Sequence, residues 1–150
     1  MEQRLNYFET APNALKPLFA MGAYLQKSRI EVSLMELIFF RVSQINGCAY
    51  CLDMHSKDAR AKGETEQRLY GLSAWRDAPY YSQRERAAIA WAEAITKCEV
   101  PDAAYAEARA EFGEEELVDL TMAITNINTW NRLNVAFPNN VGTYQVGQFG

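Results

Sequence analysis

The sequence predicts an all-α protein of about seven helices. Three observations carry that prediction. Apolar residues recur at helical spacing along nearly the whole chain, as in Ala88, Ile89, Trp91, Ala92 and Ile95. Two Ser-x-x-Glu segments, Ser33 with Glu36 and Ser82 with Glu85, have the form of capping boxes, in which each side chain bonds the other residue's backbone N–H. No Asn-Gly or Asp-Gly pair stands between alternating strands, so hairpins have no turn signal.

Taken in order, Pro17 opens a first helix through Phe19, Met21 and Leu25, because proline fits the first helical position. The Ser33 box starts a second helix through Leu37, Ile38, Phe40, Val42 and Ile45, and Asn46-Gly47 ends it. A third carries two cysteines and stops at Gly63. A short fourth covers residues 66–70 and ends at Gly71. The Ser82 box opens the fifth. Pro101 begins the sixth, with Gly113 as its C-terminal cap, and the last runs over residues 114–131. The remaining tail is apolar at Val135, Phe137, Val141 and Phe149, which suggests packing on a neighbouring subunit.

A length of 150 residues suits one domain, 1–150, with room for a sizeable core. Hydrophobic residues at 49% and charged residues at 23% are ordinary for a globular protein. A net charge of −4 without a Lys/Arg cluster argues against a nucleic-acid partner. The opening MEQRLNYFET lacks the basic and apolar regions of a secretory signal, and the uncharged run at 37–40 is too short for a bilayer. The expectation is a cytoplasmic protein with no membrane partner. In that reducing setting, a close cysteine pair among only three cysteines points to catalysis, redox exchange or metal rather than to a structural staple.

The chemistry concentrates at Cys48-Ala-Tyr-Cys51 and His55. At about 100° per residue, offsets of zero, three and seven share one helical face. Following Asn46-Gly47, Cys48 belongs in the first turn of a helix. Unpaired N–H groups and the helix dipole there favour a thiolate at Cys48. His55, one turn after Cys51, can accept a thiol proton near neutral pH. Other readings are open at this point. Two buried small side chains would also satisfy the pattern. Zinc would need a fourth ligand from Cys98 or Glu36, beside the only histidine of the chain. Haem attachment is excluded, since Leu52 stands where the histidine would be.

Glu36, as the third residue of a capped helix, is expected to bond the Ser33 backbone. Tyr50 either lines the thiol site or packs. Cys98 reads as a packing or lone surface residue, and Glu93 as a solvated or interface charge. Asn126, Asn128 and Asn131 make the last helix unusually polar, without an evident chemical role.

The segment Arg41-Val-Ser-Gln-Ile-Asn-Gly-Cys-Ala-Tyr-Cys-Leu-Asp-Met-His55 strongly resembles the AhpD-like alkylhydroperoxidase family, within the carboxymuconolactone decarboxylase superfamily. The likeness centres on residues 36–63, with the redox motif at 36–55, and continues through residues 85–94 and 131–137. The family signature is a glutamate, Cys-X-X-Cys, and a histidine four residues on; Glu36, Cys48, Cys51 and His55 match it in order and spacing. The resemblance implies an all-helical subunit assembling into trimers or hexamers, and thiol chemistry without flavin, haem or metal. It implies a thiol-dependent alkyl hydroperoxide reductase in which Cys51 attacks the peroxide, Cys48 resolves the sulfenate to a disulfide, and His55 with Glu36 moves protons. An external dithiol, lipoyl or thioredoxin-like, would be the reductant. Its position at a helix start instead favours Cys48 as the low-pKa thiol. Some relatives also carry a histidine where this chain has Tyr50, a departure that bears on peroxidase efficiency and leaves the redox pair intact. The alternatives are a disulfide reductase or redox relay with weak peroxidase activity, a lactone decarboxylase, against which two thiols argue, and a non-catalytic oligomeric module.

Overall fold

The computed structural model describes residues 4–149; residues 1–3 of the opening segment lie outside the described residues. Eight α-helices and one 3-10 turn account for the regular structure, and no strand occurs among the described residues. They are α1 (Tyr7–Thr10), α2 (Pro12–Leu25), α3 (Val32–Asn46), α4 (Ala49–Ala61), α5 (Glu66–Gly71) with the 3-10 turn Leu72–Ala74, α6 (Gln83–Lys97), α7 (Asp102–Glu111) and α8 (Glu114–Ala136).

Helix α3 is the axis of the bundle and packs against α4, α6 and α8. A helix enclosed on several sides must be apolar around much of its circumference. Leu34, Met35, Leu37, Ile38, Phe40 and Val42 of α3 are all buried. They meet Ala88, Ile89 and Ala92 of α6 and Leu120, Ala123, Ile124 and Ile127 of α8 in one core cluster. The alanines let helix axes approach closely, while each buried Leu or Ile contributes roughly 1.5–3 kcal/mol.

Several expected boundaries move, each for a local reason. Pro12, not Pro17, takes the first helical position, and Pro17 lies inside α2, where its ring replaces one N–H donor. The short α1 ahead of it is capped by the Asn6 side chain, which accepts from the Phe8 N–H. Gly113 does not close α7; Phe112 does, and Gly113 opens α8 by donating its N–H to the Glu116 carboxylate at 2.9 Å. Helix α8 continues to Ala136, past the expected end, because its late asparagines find partners inside the protein. The Ser82–Glu85 capping box forms as expected.

The Ser33–Glu36 box does not form. Helix α3 begins two residues earlier, with Glu31 rather than Ser33 as its N-cap, and the Glu36 carboxylate turns inward to His55 and Lys62. Within the chain the tail has partners of its own. It folds back over its own α4: the buried Tyr144 hydroxyl donates to Asp58, the Gly142 N–H donates to Asp53 Oδ2, and Lys57 Nζ donates to the Tyr144 carbonyl. Phe149 then stacks on Tyr144 and Phe8, leaving Val135 and Val141 exposed.

Candidate active site

The two cysteines sit where α3 breaks into α4. Gly47 ends α3 with φ 65°, a left-handed conformation that favours glycine, and the Cys48 N–H bonds the Ser43 carbonyl at 3.1 Å. Cys48 is therefore the N-cap of α4 rather than part of its first turn, and its Sγ accepts the Cys51 backbone N–H at 3.3 Å. That contact is the capping bond a serine would make, supplied by sulfur. The pair is closed as a disulfide with Cα atoms 5.3 Å apart, and both residues are buried, at 1% and 0% exposure.

One turn further along α4, the buried His55 packs against Phe39, with ring centres 5.1 Å apart. Its Nδ1 lies 3.0 Å from Glu36 Oε2, and Lys62 Nζ donates to Glu36 Oε1 at 2.6 Å. Burial pushes the Glu36 carboxyl up, but His55 and Lys62 together outweigh it and hold the group below its ordinary 4.5. Glu36 is thus an anion that only accepts, so Nδ1 of His55 is the donor in this contact. In the neutral ring the lone pair then falls on Nε2, which is buried without a protein partner among the described residues.

Helix α8 closes the other side. Asn134 Nδ2 lies 3.5 Å from Cys51 Sγ, and the Tyr7 hydroxyl donates to Asn134 Oδ1 at 3.0 Å. Further along the helix, Asn46 Nδ2 donates to Oδ1 of both Asn128 and Asn131, each at 2.9 Å, and Asn131 Nδ2 donates to Ser43 Oγ. The polar character of α8 at Asn128 and Asn131 thus pins the break between α3 and α4 that carries the thiols. An apolar cavity of about 440 Å³ opens beside this group, walled by Phe8, Phe19, Met35, Phe39 and Trp130, with Tyr50, His55 and Asn134 at its polar end. Asn126 is on its wall with Oδ1 buried and unpaired among the described residues.

Residues 12–94 match the carboxymuconolactone decarboxylase family. The uncharacterized protein YdfG of Bacillus subtilis (strain 168) is 46% identical over 142 residues, 93% of this chain and 97% of that protein. The chain belongs to the carboxymuconolactone decarboxylase family. Within it, the structure of ATU0492 from Agrobacterium tumefaciens, a protein of unknown function provisionally placed with the antioxidant defence protein AhpD, superposes with a TM-score of 0.90 at 42% identity. It covers 95% of this chain and 100% of that one. The debrominase Bmp8 shares the fold, with a TM-score of 0.81 at 19% identity over 91% of this chain and 75% of its own. The protein is AhpD-like in fold and family, and its superfamily includes enzymes.

The four residues singled out from the sequence form two pairs in the structure, Cys48 with Cys51 as a disulfide and Glu36 hydrogen-bonded to His55, with Cys51 and His55 one turn apart on α4. Tyr50 lies at the same cavity. Burial, followed by the charge of Asp53, raises its hydroxyl above the ordinary 10.0, so it stays a neutral phenol rather than replacing a histidine base. Cys98 stands apart as an exposed C-cap of α6, a lone surface thiol. No group of three or more His, Cys, Asp or Glu among the described residues is arranged to hold a metal ion. Glu93 is neither solvated nor at an interface. It is buried and accepts from Arg41, Trp75 and Arg76, because α6 turns it toward α3 and the loop after α5.

Lys62, Tyr7 and Asn134 were missed by sequence reasoning. Lys62 and Asn134 come from 26 and 98 residues after Glu36, and Tyr7 from a helix too short to show periodicity. The one available signal was the density of asparagine on an otherwise amphipathic last helix.

Proposed function

We propose that this protein is a thiol-dependent alkyl hydroperoxide reductase. The observation that carries the reading is the closed Cys48–Cys51 pair one helical turn before a histidine with Nδ1 on the Glu36 carboxylate and Nε2 unpaired. Cys51 gives its proton to His55 and attacks the distal peroxide oxygen as thiolate. The O–O bond breaks, the alkoxide leaves as alcohol with the proton held by His55, and Cys51 becomes the sulfenic acid. Cys48 then attacks Cys51 Sγ, and hydroxide leaves as water with the Cys48 proton. A dithiol of lipoyl or thioredoxin type supplies the two electrons that reopen the pair. Glu36 orients the imidazole and strengthens it as a base, and Lys62 neutralises the outer oxygen of Glu36. The setting is a reducing cytoplasm, the working form a homo-oligomer, trimer or hexamer, and no metal, flavin or haem enters the cycle. The provisional placement of ATU0492 with AhpD supports the same reading.

A slower peroxidase that acts chiefly as a disulfide reductase or redox relay is the second reading. It is favoured by Tyr50, a neutral phenol where some relatives carry a further histidine.

Mass mapping of the reduced protein after tert-butyl hydroperoxide treatment tests the proposal. The expected product is a Cys48–Cys51 disulfide that dihydrolipoamide reverses; if none forms, the redox assignment fails. Glu36→Gln, which keeps the shape but removes the anion from His55, is expected to slow disulfide formation about tenfold or more. An unchanged rate would remove Glu36 from the relay.

A further inference from the structure

Each sulfur of the pair has its own hydrogen-bond donor, and the two donors differ in kind. Cys48 Sγ takes the backbone N–H of Cys51, while Cys51 Sγ takes the side-chain amide of Asn134 at 3.5 Å. An amide can face a sulfur with either end, so its orientation must be earned from its surroundings. Here it is. Asn134 Oδ1 receives the Tyr7 hydroxyl at 3.0 Å and Asn139 Nδ2 at 2.7 Å, while Asn134 Nδ2 also reaches the Trp130 carbonyl at 3.0 Å. Reversing the amide would set its NH2 against the Asn139 donor and its oxygen against the Trp130 carbonyl. Asn139 Nδ2 donates to the Tyr7 oxygen as well, at 3.0 Å, and closes the triangle. The N–H that meets Cys51 is therefore held in place before any charge forms on the sulfur, in a buried setting where such a contact is stronger than in water.

We propose that Asn134 is a catalytic residue whose amide stabilises the Cys51 thiolate, with Tyr7 and Asn139 as positioning residues that aim it. The proposal rests on the peroxide-reductase reading for its role in turnover. In the forward step the amide holds the negative charge once the thiol proton has passed to His55. In the return step, a dithiol attacking Cys48 Sγ forms a mixed disulfide and expels Cys51 as a thiolate onto the same donor. This answers the competition between the thiols left by the sequence. The helix start serves Cys48, and α8 supplies Cys51 with a donor that no local motif around the cysteines contains.

The test is an ultraviolet titration of the thiolate in a Cys48→Ser/Cys98→Ser background, where Cys51 is the only thiol. The ionisable groups lining the adjacent cavity are Tyr7, Glu36, Tyr50, His55, Asp58, Lys62 and Tyr144, and Asn134→Leu leaves all of them in place. Asn134→Leu is expected to raise the Cys51 midpoint by about one pH unit, and Tyr7→Phe to raise it by less. An unchanged midpoint in a folded Asn134→Leu protein, with a native circular dichroism spectrum, overturns the proposal. If that variant does not fold, Tyr7→Phe decides, since it removes only a hydroxyl. A raised midpoint in a protein that never reduces hydroperoxide would overturn the peroxidase reading while leaving the Asn134–thiolate contact standing.

Discussion

Cys51→Ser is expected to abolish dithiol-supported hydroperoxide reduction, lowering turnover by more than about a thousandfold, to the level without protein. The substitution changes one buried atom and keeps the side chain's shape, so packing against α8 should survive. What the proposed cycle would lose is its chemistry: a serine hydroxyl is a far weaker acid than a thiol, and an alcohol oxygen cannot become the sulfenate on which that cycle depends. Steady-state turnover with tert-butyl hydroperoxide and dihydrolipoamide, beside a circular dichroism control, measures it. Cys98→Ser is the matched control, because Cys98 is an exposed cap on another helix and its loss should leave turnover intact. Persistent turnover in Cys51→Ser would move the nucleophile elsewhere and undo the site assignment.

The largest stability effect is expected at Glu93. Its Oε1 accepts from Arg41 Nε at 2.9 Å, from the second Arg41 nitrogen at 2.7 Å and from Trp75 Nε1 at 3.0 Å; Oε2 accepts from Arg76 at 2.9 Å. Arg76 is largely exposed and adds little on its own, but Arg41 and Trp75 are not. Glu93→Ala leaves the buried Arg41 guanidinium with only Gln44 Oε1 as a neutral acceptor and the Trp75 indole N–H with none, a loss of about 3 kcal/mol. Urea unfolding should show a lower midpoint with an unchanged slope.

The effect has a defined pH dependence. Burial raises the Glu93 carboxyl, and the bonds from Arg41, Trp75 and Arg76 more than reverse that, leaving it below 4.5. A depressed folded pKa contributes stability that is full above the unfolded value and fades as pH falls through the folded one. The gap between wild type and Glu93→Ala should therefore be widest near neutrality and narrow below about pH 4.5. A gap that stayed constant on acidification would show that packing, not charge, accounts for the loss. Glu36, depressed by His55 and Lys62 against its own burial, adds acid sensitivity of the same sign at the candidate site.

Much of the fold was legible along the chain because its causes are local. The Asn46-Gly47 break, the Ser82–Glu85 box and the apolar spacing of α6 each act within a turn or two, and all formed where expected. The failures were also instructive. Ser33 with Glu36 has the right spacing for a cap, yet Glu36 has a stronger alternative 19 residues away at His55 and 26 away at Lys62. A capping bond contributes about 1 kcal/mol at a surface, less than a buried anion gains from two charge-assisted partners. Glu93 failed in the same direction, since nothing near it in sequence announces Arg41 or Trp75.

By itself, then, the sequence determined the all-α class and the pairing of two thiols with an imidazole along one side of a helix. Those depend on spacings of three, four and seven residues, which the helix converts directly into proximity. Only the tertiary structure decided which carboxylate oxygen meets which partner, that Cys48 caps α4 with its sulfur, and that Asn134 from the far end of the chain reaches Cys51. Those contacts depend on how α3, α4 and α8 cross, and crossing is set by the shape of a buried core that no local pattern encodes.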